Sequence, residues 1–258
     1  MFHRIILYVI HKCIDTFFFL QLLFREINSL VQYSLSLFPE FLKFYKSTTD
    51  FNCKRLPTHL GIIICEDKIS FSDVSNLIVW SFAVGIHHIS IFDSSGYIKL
   101  NGNALYKEMI VKKNLILKDA AHYFDIIFSD GKAPFPYNVS IKNGHRTENV
   151  NVYLISQEDG KQQIVEAAKK VSKNIKREPD LLKNFHSLHL DQCIKGVINI
   201  PDPELVILFG LTNGLIGYLP WHIRLTEFIS QLTHHGFSFE EFRKVLQRYN
   251  KCEQRFGR

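Results

Sequence analysis

Leu60-Gly61-Ile62-Ile63-Ile64-Cys65, then Ser70-Phe71-Ser72-Asp73, then Ile89-Ser90-Ile91-Phe92-Asp93-Ser94-Ser95-Gly96 is the stretch that decides the fold class. The first run is short and continuously apolar, as expected of a strand covered on both faces rather than one. Ser70-x-x-Asp73 has the form of a helix start, and Val74, Leu77, Ile78, Ser81 and Phe82 follow at helical spacing. Gly85 stands where a helix C-terminus favours a left-handed residue. Residues 89–92 make a second strand, and Asp93 to Gly96 close it as a turn. A strand–helix–strand unit of this length implies parallel strands joined by a right-handed crossover.

The alternation continues outward. Residues 103–117 are predicted helical, 122–128 a strand, 130–149 a loop rich in Gly, Pro and Asn, and 150–155 a strand. Residues 161–177 form an amphipathic helix with Ile164, Ala168, Val171 and Ile175 on one face. Lys169, Lys170, Lys173, Lys176 and Arg177 lie opposite and read as a solvated face rather than a nucleic-acid stripe. Residues 205–209 are a strand. Residues 221–232 are predicted to be a helix with Pro220 at its start. A helix over 239–253 is opened by the capping box Ser238-x-x-Glu241. The fold class is therefore α/β, a mostly parallel central sheet flanked by helices.

The first 46 residues differ in character. Residues 5–24 and 30–44 are strongly apolar and read as a membrane-anchor segment, with a polar linker over 47–55 and the main domain over 56–258. Twenty residues would cross a bilayer core of about 30 Å. Lys12 and Asp15 sit near the middle of the first run. Each costs about 2.5–3.5 kcal/mol at a helix centre. A spanning helix, an in-plane amphipathic helix and a core helix of the soluble domain all remain open. Arg25, Lys43, Lys46, Lys54 and Arg55 follow the run against Arg4 before it, which leaves the domain in the cytosol if the run spans.

The 258 residues are 46% hydrophobic and 22% charged, which excludes a disordered, collagen-like or disulfide-stapled chain. A net charge of +6 suits an anionic ligand, a membrane surface or a nucleic acid equally and selects none. The five cysteines include no C-x-x-C pair and read as reduced thiols. The nucleotide cradles, the nucleophile elbow and the H-E-x-x-H zinc motif are absent. His186 and His189 have no third ligand near in sequence, and the adjacent pairs His87-His88 and His234-His235 point apart on a regular element. Asn138-Val139-Ser140 is a sequon that matters only in a luminal domain.

Two stretches are more specific. Cys252-Glu253-Gln254-Arg255-Phe256-Gly257-Arg258 follows a capped helix and offers guanidinium groups with a glycine between them. An Arg fork matches phosphate oxygens, and a glycine N–H can approach them closely. Leu219-Pro220-Trp221-His222-Ile223-Arg224-Leu225-Thr226-Glu227 holds one of only two tryptophans. With Leu56-Pro57-Thr58-His59-Leu60-Gly61, Val79-Trp80, Ala83-Val84-Gly85-Ile86 and Ser156-Gln157-Glu158-Asp159-Gly160-Lys161, these blocks resemble, in order over 56–258, the Nogo-B receptor family. Its members are accessory subunits of dehydrodolichyl diphosphate synthase complexes in the cis-prenyltransferase superfamily.

The resemblance implies a division of labour. Catalytic members carry His-x-x-x-Ile-Met-Asp-Gly-Asn on the first strand, whose Asp serves Mg²⁺ and the allylic diphosphate; aligned on His59, that Asp falls at Cys65, and Glu66 and Asp67 follow. Their Pro-Asp-Leu-x-Ile-Arg supplies a phosphate-binding Arg, but Pro203-Glu204-Leu205-Val206-Ile207 is followed here by Leu208. The resemblance thus implies a pseudo-enzyme subunit, inactive alone. Its Arg255 and Gly257 would serve the diphosphate of isopentenyl diphosphate in a catalytic partner's site. That partner, a dehydrodolichyl diphosphate synthase, would hold Mg²⁺ and farnesyl diphosphate. The implied setting is the endoplasmic reticulum membrane, the main domain facing the cytosol, with no nucleic-acid partner. The rival expectation is a membrane-anchored receptor or scaffold without a catalytic contribution.

Overall fold

The computed structural model describes residues 12, 16, 18, 21, 55–136, 147–179, 186–195, 200–211 and 214–252. The chain divides into two compact units, Met1–Lys46 and Ser47–Arg258. In the first, Lys12, Thr16, Phe18 and Gln21 are helical and exposed, and the Thr16 hydroxyl donates to the Lys12 carbonyl at 2.5 Å. The rest of the apolar anchor lies outside the described residues. Among those described, no helix is long and apolar enough to cross a membrane.

The second unit is built on six strands: β1 His59–Ile64, β2 His88–Asp93, β3 Phe124–Ser129, β4 Glu148–Ile155, β5 Leu205–Phe209 and β6 Glu227–Gln231. Their order is β3-β4-β2-β1-β5-β6, and all five pairings are parallel. Parallel neighbours need crossovers, and α1 Phe71–Ala83, α2 Tyr97–Leu100, α3 Gly102–Leu117, α4 Lys161–Arg177 and α5 Ser187–Lys195 lie in them, while α6 Phe239–Lys251 follows the last strand. Every residue of β1 and β5 is buried, as a strand covered on both faces requires.

The local signals work as expected at several points. The Ser70 hydroxyl accepts from the Asp73 N–H and caps α1, whose Val74, Leu77, Ile78, Ser81 and Phe82 are buried. Gly85, at φ 104°, donates to Phe82 O, and Ile86 N–H donates to Ser81 O. That pair of bonds is a Schellman closure, and it needs the left-handed residue. Ser238 and Glu241 cap α6 reciprocally.

Other expectations are corrected. The predicted helix over 221–232 is instead a turn followed by β6. The Glu227 N–H donates to Glu204 O and the Thr226 hydroxyl to Pro203 O, so the segment pairs with β5. These non-local bonds outweigh the local helix signal of Pro220. The predicted strand 122–128 begins at Phe124, because His122 belongs to a 3₁₀ turn over Lys118–Tyr123. Glu148 and Asn149, assigned to a loop, already pair in β4. In α4 the buried positions are Gln163 and Ala167, with Ile164, Val171 and Ile175 half-buried and Ala168 exposed. The apolar face is thus rotated toward Gln163.

Candidate functional site

In a parallel α/β sheet the chemistry gathers beyond the carboxyl ends of the strands. Here those ends of β1 and β5 are apolar. Cys65 follows β1 and continues its pairing, its N–H donating to Phe209 O at 2.9 Å. Gly210, after β5, has φ 114°, and a Cβ there would stand 3.1 Å from the Cys65 Cβ. Leu208 is 5% exposed and packs with Ile63, Phe92, Tyr218 and Leu219, with Cys65 laid against the same cluster. Burial, and then the neighbouring Glu66, pushes the Cys65 thiol above its ordinary range. A protonated thiol is no ligand for a hard cation that selects oxygen.

Glu66, the next residue, is tied down by its own chain. Its carboxylate Oε2 accepts from the backbone N–H of His234 at 2.8 Å and from the His234 ring Nδ1–H. Burial alone would push the Glu66 carboxyl up; the hydrogen bonds from the His234 ring, Thr233 and the His234 backbone outweigh it and hold the group below its usual range. With Nδ1 as donor, His234 Nε2 is the acceptor for the Ser70 N–H at 2.9 Å. His235 Nε2 donates to Lys68 O at 3.0 Å. The expectation that His234 and His235 cannot converge is therefore corrected. In this turn their donor atoms and that of Glu66 lie within 4.8 Å of one another. Both His234 nitrogens are nevertheless engaged, one with the carboxylate and one with the α1 entry, so the cluster works as a hydrogen-bonded lock. It does not fit Mg²⁺, which demands several free oxygen ligands.

From the amino end of β1 runs a buried polar chain. Pro201 O can only accept, so His59 Nδ1 carries the proton and donates to it at 2.6 Å. His59 Nε2 then accepts from the Ser90 hydroxyl at 2.7 Å, and Ser90 in turn accepts from the Tyr218 hydroxyl at 2.6 Å. Burial, reinforced by His88 and His222 and opposed by the Pro201 bond, lowers the His59 pKa to about 3. Gly61 makes room for this chain: a Cβ there would lie 2.5 Å from the Tyr218 hydroxyl.

Two further networks position the conspicuous sequence blocks. Asp159, 2% exposed, takes the Lys99 ammonium at 2.7 Å and the Ser156 N–H at 3.0 Å. A Cβ on Gly160 would meet Gly217 O at 2.0 Å, so the loop before β6 lies directly on this turn. The Trp221 indole N–H donates to Asp191 at 2.9 Å, and Arg224 reaches Asp191 at 2.7 Å and Asp202 at 3.5 Å. Ile216 at φ 45° and Leu219 at φ 29° hold that loop in a left-handed conformation that non-glycine residues rarely adopt.

The chain is 33% identical over 215 residues to the dehydrodolichyl diphosphate synthase complex subunit Nus1 of Mus musculus, covering 80% of this chain and 67% of that protein. With the subunit NUS1 of Homo sapiens it is 35% identical over 211 residues, covering 80% and 68%. The chain belongs to this family of dehydrodolichyl diphosphate synthase complex subunits. A family model described as "Putative undecaprenyl diphosphate synthase" matches residues 137–257. The fold is that of a solved lavandulyl diphosphate synthase from Lavandula x intermedia in complex with dimethylallyl diphosphate, with a TM-score of 0.54 at 18% identity over 78% of this chain and 98% of that one.

Within this family frame, Cys65 and Leu208 lie at the two strand ends where the resemblance puts the metal-binding Asp and the phosphate-binding Arg of catalytic members. Asp67 is exposed. Arg255 and Gly257, the residues singled out for diphosphate binding, lie outside the described residues. The Glu66–His234 lock is what the sequence reading missed. Its partners are 168 positions apart, and only the parallel topology brings the turn after β6 beside the end of β1.

Proposed function

We propose that this chain is the accessory, non-catalytic subunit of a heteromeric cis-prenyltransferase, a dehydrodolichyl diphosphate synthase complex. Its catalytic partner extends farnesyl diphosphate with isopentenyl diphosphate to a long-chain polyprenyl diphosphate for dolichol synthesis and protein glycosylation. The observation that carries the reading is the strand-end geometry. Cys65 and Leu208 pack into an apolar cluster, and Glu66 is bound to His234. Cys65 and Leu208 supply neither a carboxylate for a metal nor a guanidinium for a phosphate, so metal binding and chain growth fall to the partner, with Mg²⁺ on that subunit.

The contribution of this chain is its Arg255-Phe256-Gly257 segment. Arg255 offers a planar fork to the diphosphate of isopentenyl diphosphate, and Gly257 a backbone N–H unobstructed by a Cβ. A cation supplied in trans stabilises phosphate charge as an arginine finger does. Residues 1–46 hold the complex on the endoplasmic reticulum membrane with residues 56–258 cytosolic, a reading supported by their apolar runs and the basic residues that follow. A lipid-soluble product suits that placement.

The test is Arg255→Ala in a complex co-expressed with the catalytic subunit and assayed at matched subunit ratio. A hydrogen bond to a charged group is worth about 1.5–3 kcal/mol, roughly a ten- to two-hundred-fold loss of turnover if made in the transition state. Arg255→Lys recovers part of it. Full activity for Arg255→Ala in an intact complex rejects the tail's role and leaves a scaffold.

A further inference from the structure

α4 carries six cations, Lys161, Lys169, Lys170, Lys173, Lys176 and Arg177, against one acid, Glu166. Its net charge of +5 stands beside +6 for the whole chain, so the basic excess of the protein is gathered on one helix. All six cations are exposed. Lys169, Lys173 and Lys176 recur at i, i+4 and i+7 and form a seam. It runs opposite the side on which Gln163 and Ala167 are buried and Ile164 and Val171 half-buried. The seam extends about 10 Å along the helix. Val165, on the same outward side, is 44% exposed.

The seam does nothing for the fold. Lys176 and Arg177, in the last turn, suit the helix dipole, but Lys169, Lys170 and Lys173 lie too far from the C-terminus to gain from it. Like charges three and four residues apart repel, so Lys173 beside Lys169 and Lys176 weakens the helix. Among the described residues only Lys169 of the six has an acidic partner, Glu166 at 3.0 Å. The chemistry of the seam discriminates between anionic occupants. Binding to single-stranded RNA adds aromatic side chains for stacking, and α4 has none. Protein interfaces are depleted in lysine. A row of long, flexible ammonium side chains with an apolar Val165 beside it suits a hydrated layer of lipid headgroups. We propose that the Lys169, Lys173 and Lys176 face of α4 docks on an anionic bilayer surface, so that the helix lies along the headgroups. The proposal rests on the reading that residues 1–46 hold the chain on a membrane, and adds to it an orientation of the domain and a lipid preference.

Reductive methylation of lysines by formaldehyde and dimethylamine–borane tests this, read residue by residue by mass spectrometry on the full-length chain added to preformed vesicles. With about 30 mol% phosphatidylserine, Lys169, Lys173 and Lys176 should react about fivefold more slowly than with neutral phosphatidylcholine vesicles, because such a surface favours the unreactive ammonium by ~1 kcal/mol per residue. Lys244 and Lys251, exposed on α6, keep their rates and serve as references. Salt at about 1 M shortens the Debye length to ~3 Å and abolishes the difference. Lys169→Glu combined with Lys176→Glu, both at exposed positions, leaves Lys173 as the reporter, and its rate becomes the same in the two lipids. Flotation with the neutral vesicles reads the anchor separately: a chain left behind refutes the anchor, while slowing of the three lysines by anionic vesicles still supports the face. Equal rates in the two lipids, slowing shared by Lys244 and Lys251, or an unchanged response of Lys173 in the double variant overturns the assignment. So does protection that appears only on adding the catalytic subunit or an RNA oligonucleotide.

Discussion

Replacing Ser90 by Ala perturbs the buried chain Pro201–His59–Ser90–Tyr218 at its middle. The Ser90 hydroxyl donates to His59 Nε2 at 2.7 Å and accepts from Tyr218 at 2.6 Å, and Ser90, His59 and Tyr218 are all fully buried. Its loss leaves one acceptor and one donor without partners. Each orphaned buried group costs about 1–3 kcal/mol, so Ser90→Ala is expected to cost about 2–6 kcal/mol. Tyr218→Phe removes only one bond and leaves Ser90 donating to His59, at about 1 kcal/mol. In the double variant the orphaned phenol is gone as well. It should therefore be no less stable than Ser90→Ala alone, with a coupling of about 2–4 kcal/mol in a double-mutant cycle. Denaturant unfolding of the four proteins, with m-values compared to exclude a change in the unfolded state, measures it. Simple additivity would refute the chain as drawn.

The His59 imidazole, held at about pKa 3, stays neutral in the fold while the unfolded side chain titrates near 6.5. Its contribution is complete above pH 6.5 and is lost as pH falls toward 3, about 3 kcal/mol by pH 4.5, and imidazole NMR should show His59 neutral, with its one proton on Nδ1, for as long as the fold persists. Gly160→Ala forces a Cβ to within 2.0 Å of Gly217 O, a backbone atom that cannot swing away. It should cost about 3 kcal/mol in unfolding free energy. Cys65→Asp with Leu208→Arg should create no polyprenyl synthesis in the isolated chain, because Glu66 and the α1 entry stay bound to His234. Leu208→Arg should lower the melting temperature, since it buries a charge among apolar side chains.

Much of this architecture is legible in the sequence because it is local. β1 and β5 are continuous apolar runs, Ser70 and Ser238 are caps with their partners three residues on, and Gly85 is the one residue that a Schellman closure there accepts. What fails is what depends on distant partners. Glu227-Phe228-Ile229-Ser230-Gln231 is too short to reveal its period, and only the open edge of β5 makes it a strand. Helical spacing puts Ile164, Ala168, Val171 and Ile175 on the inner face of α4, whereas packing centres on Gln163 and Ala167. Cys65 and Leu208 are visible in the sequence as substitutions against the family pattern. Glu66 with His234 is not, since two histidines in a turn carry no sign of the strand end they reach.

The central claim is that the chain lacks a catalytic centre of its own and works only in a complex. The direct measurement is polyprenyl diphosphate synthesis from farnesyl and isopentenyl diphosphates with Mg²⁺, by the purified chain alone and by the same chain co-purified with a catalytic cis-prenyltransferase subunit. The account predicts no product from the chain alone, and from the complex more product than from the catalytic subunit by itself. Turnover by the isolated chain, or a catalytic subunit neither bound nor accelerated by it, would contradict the account.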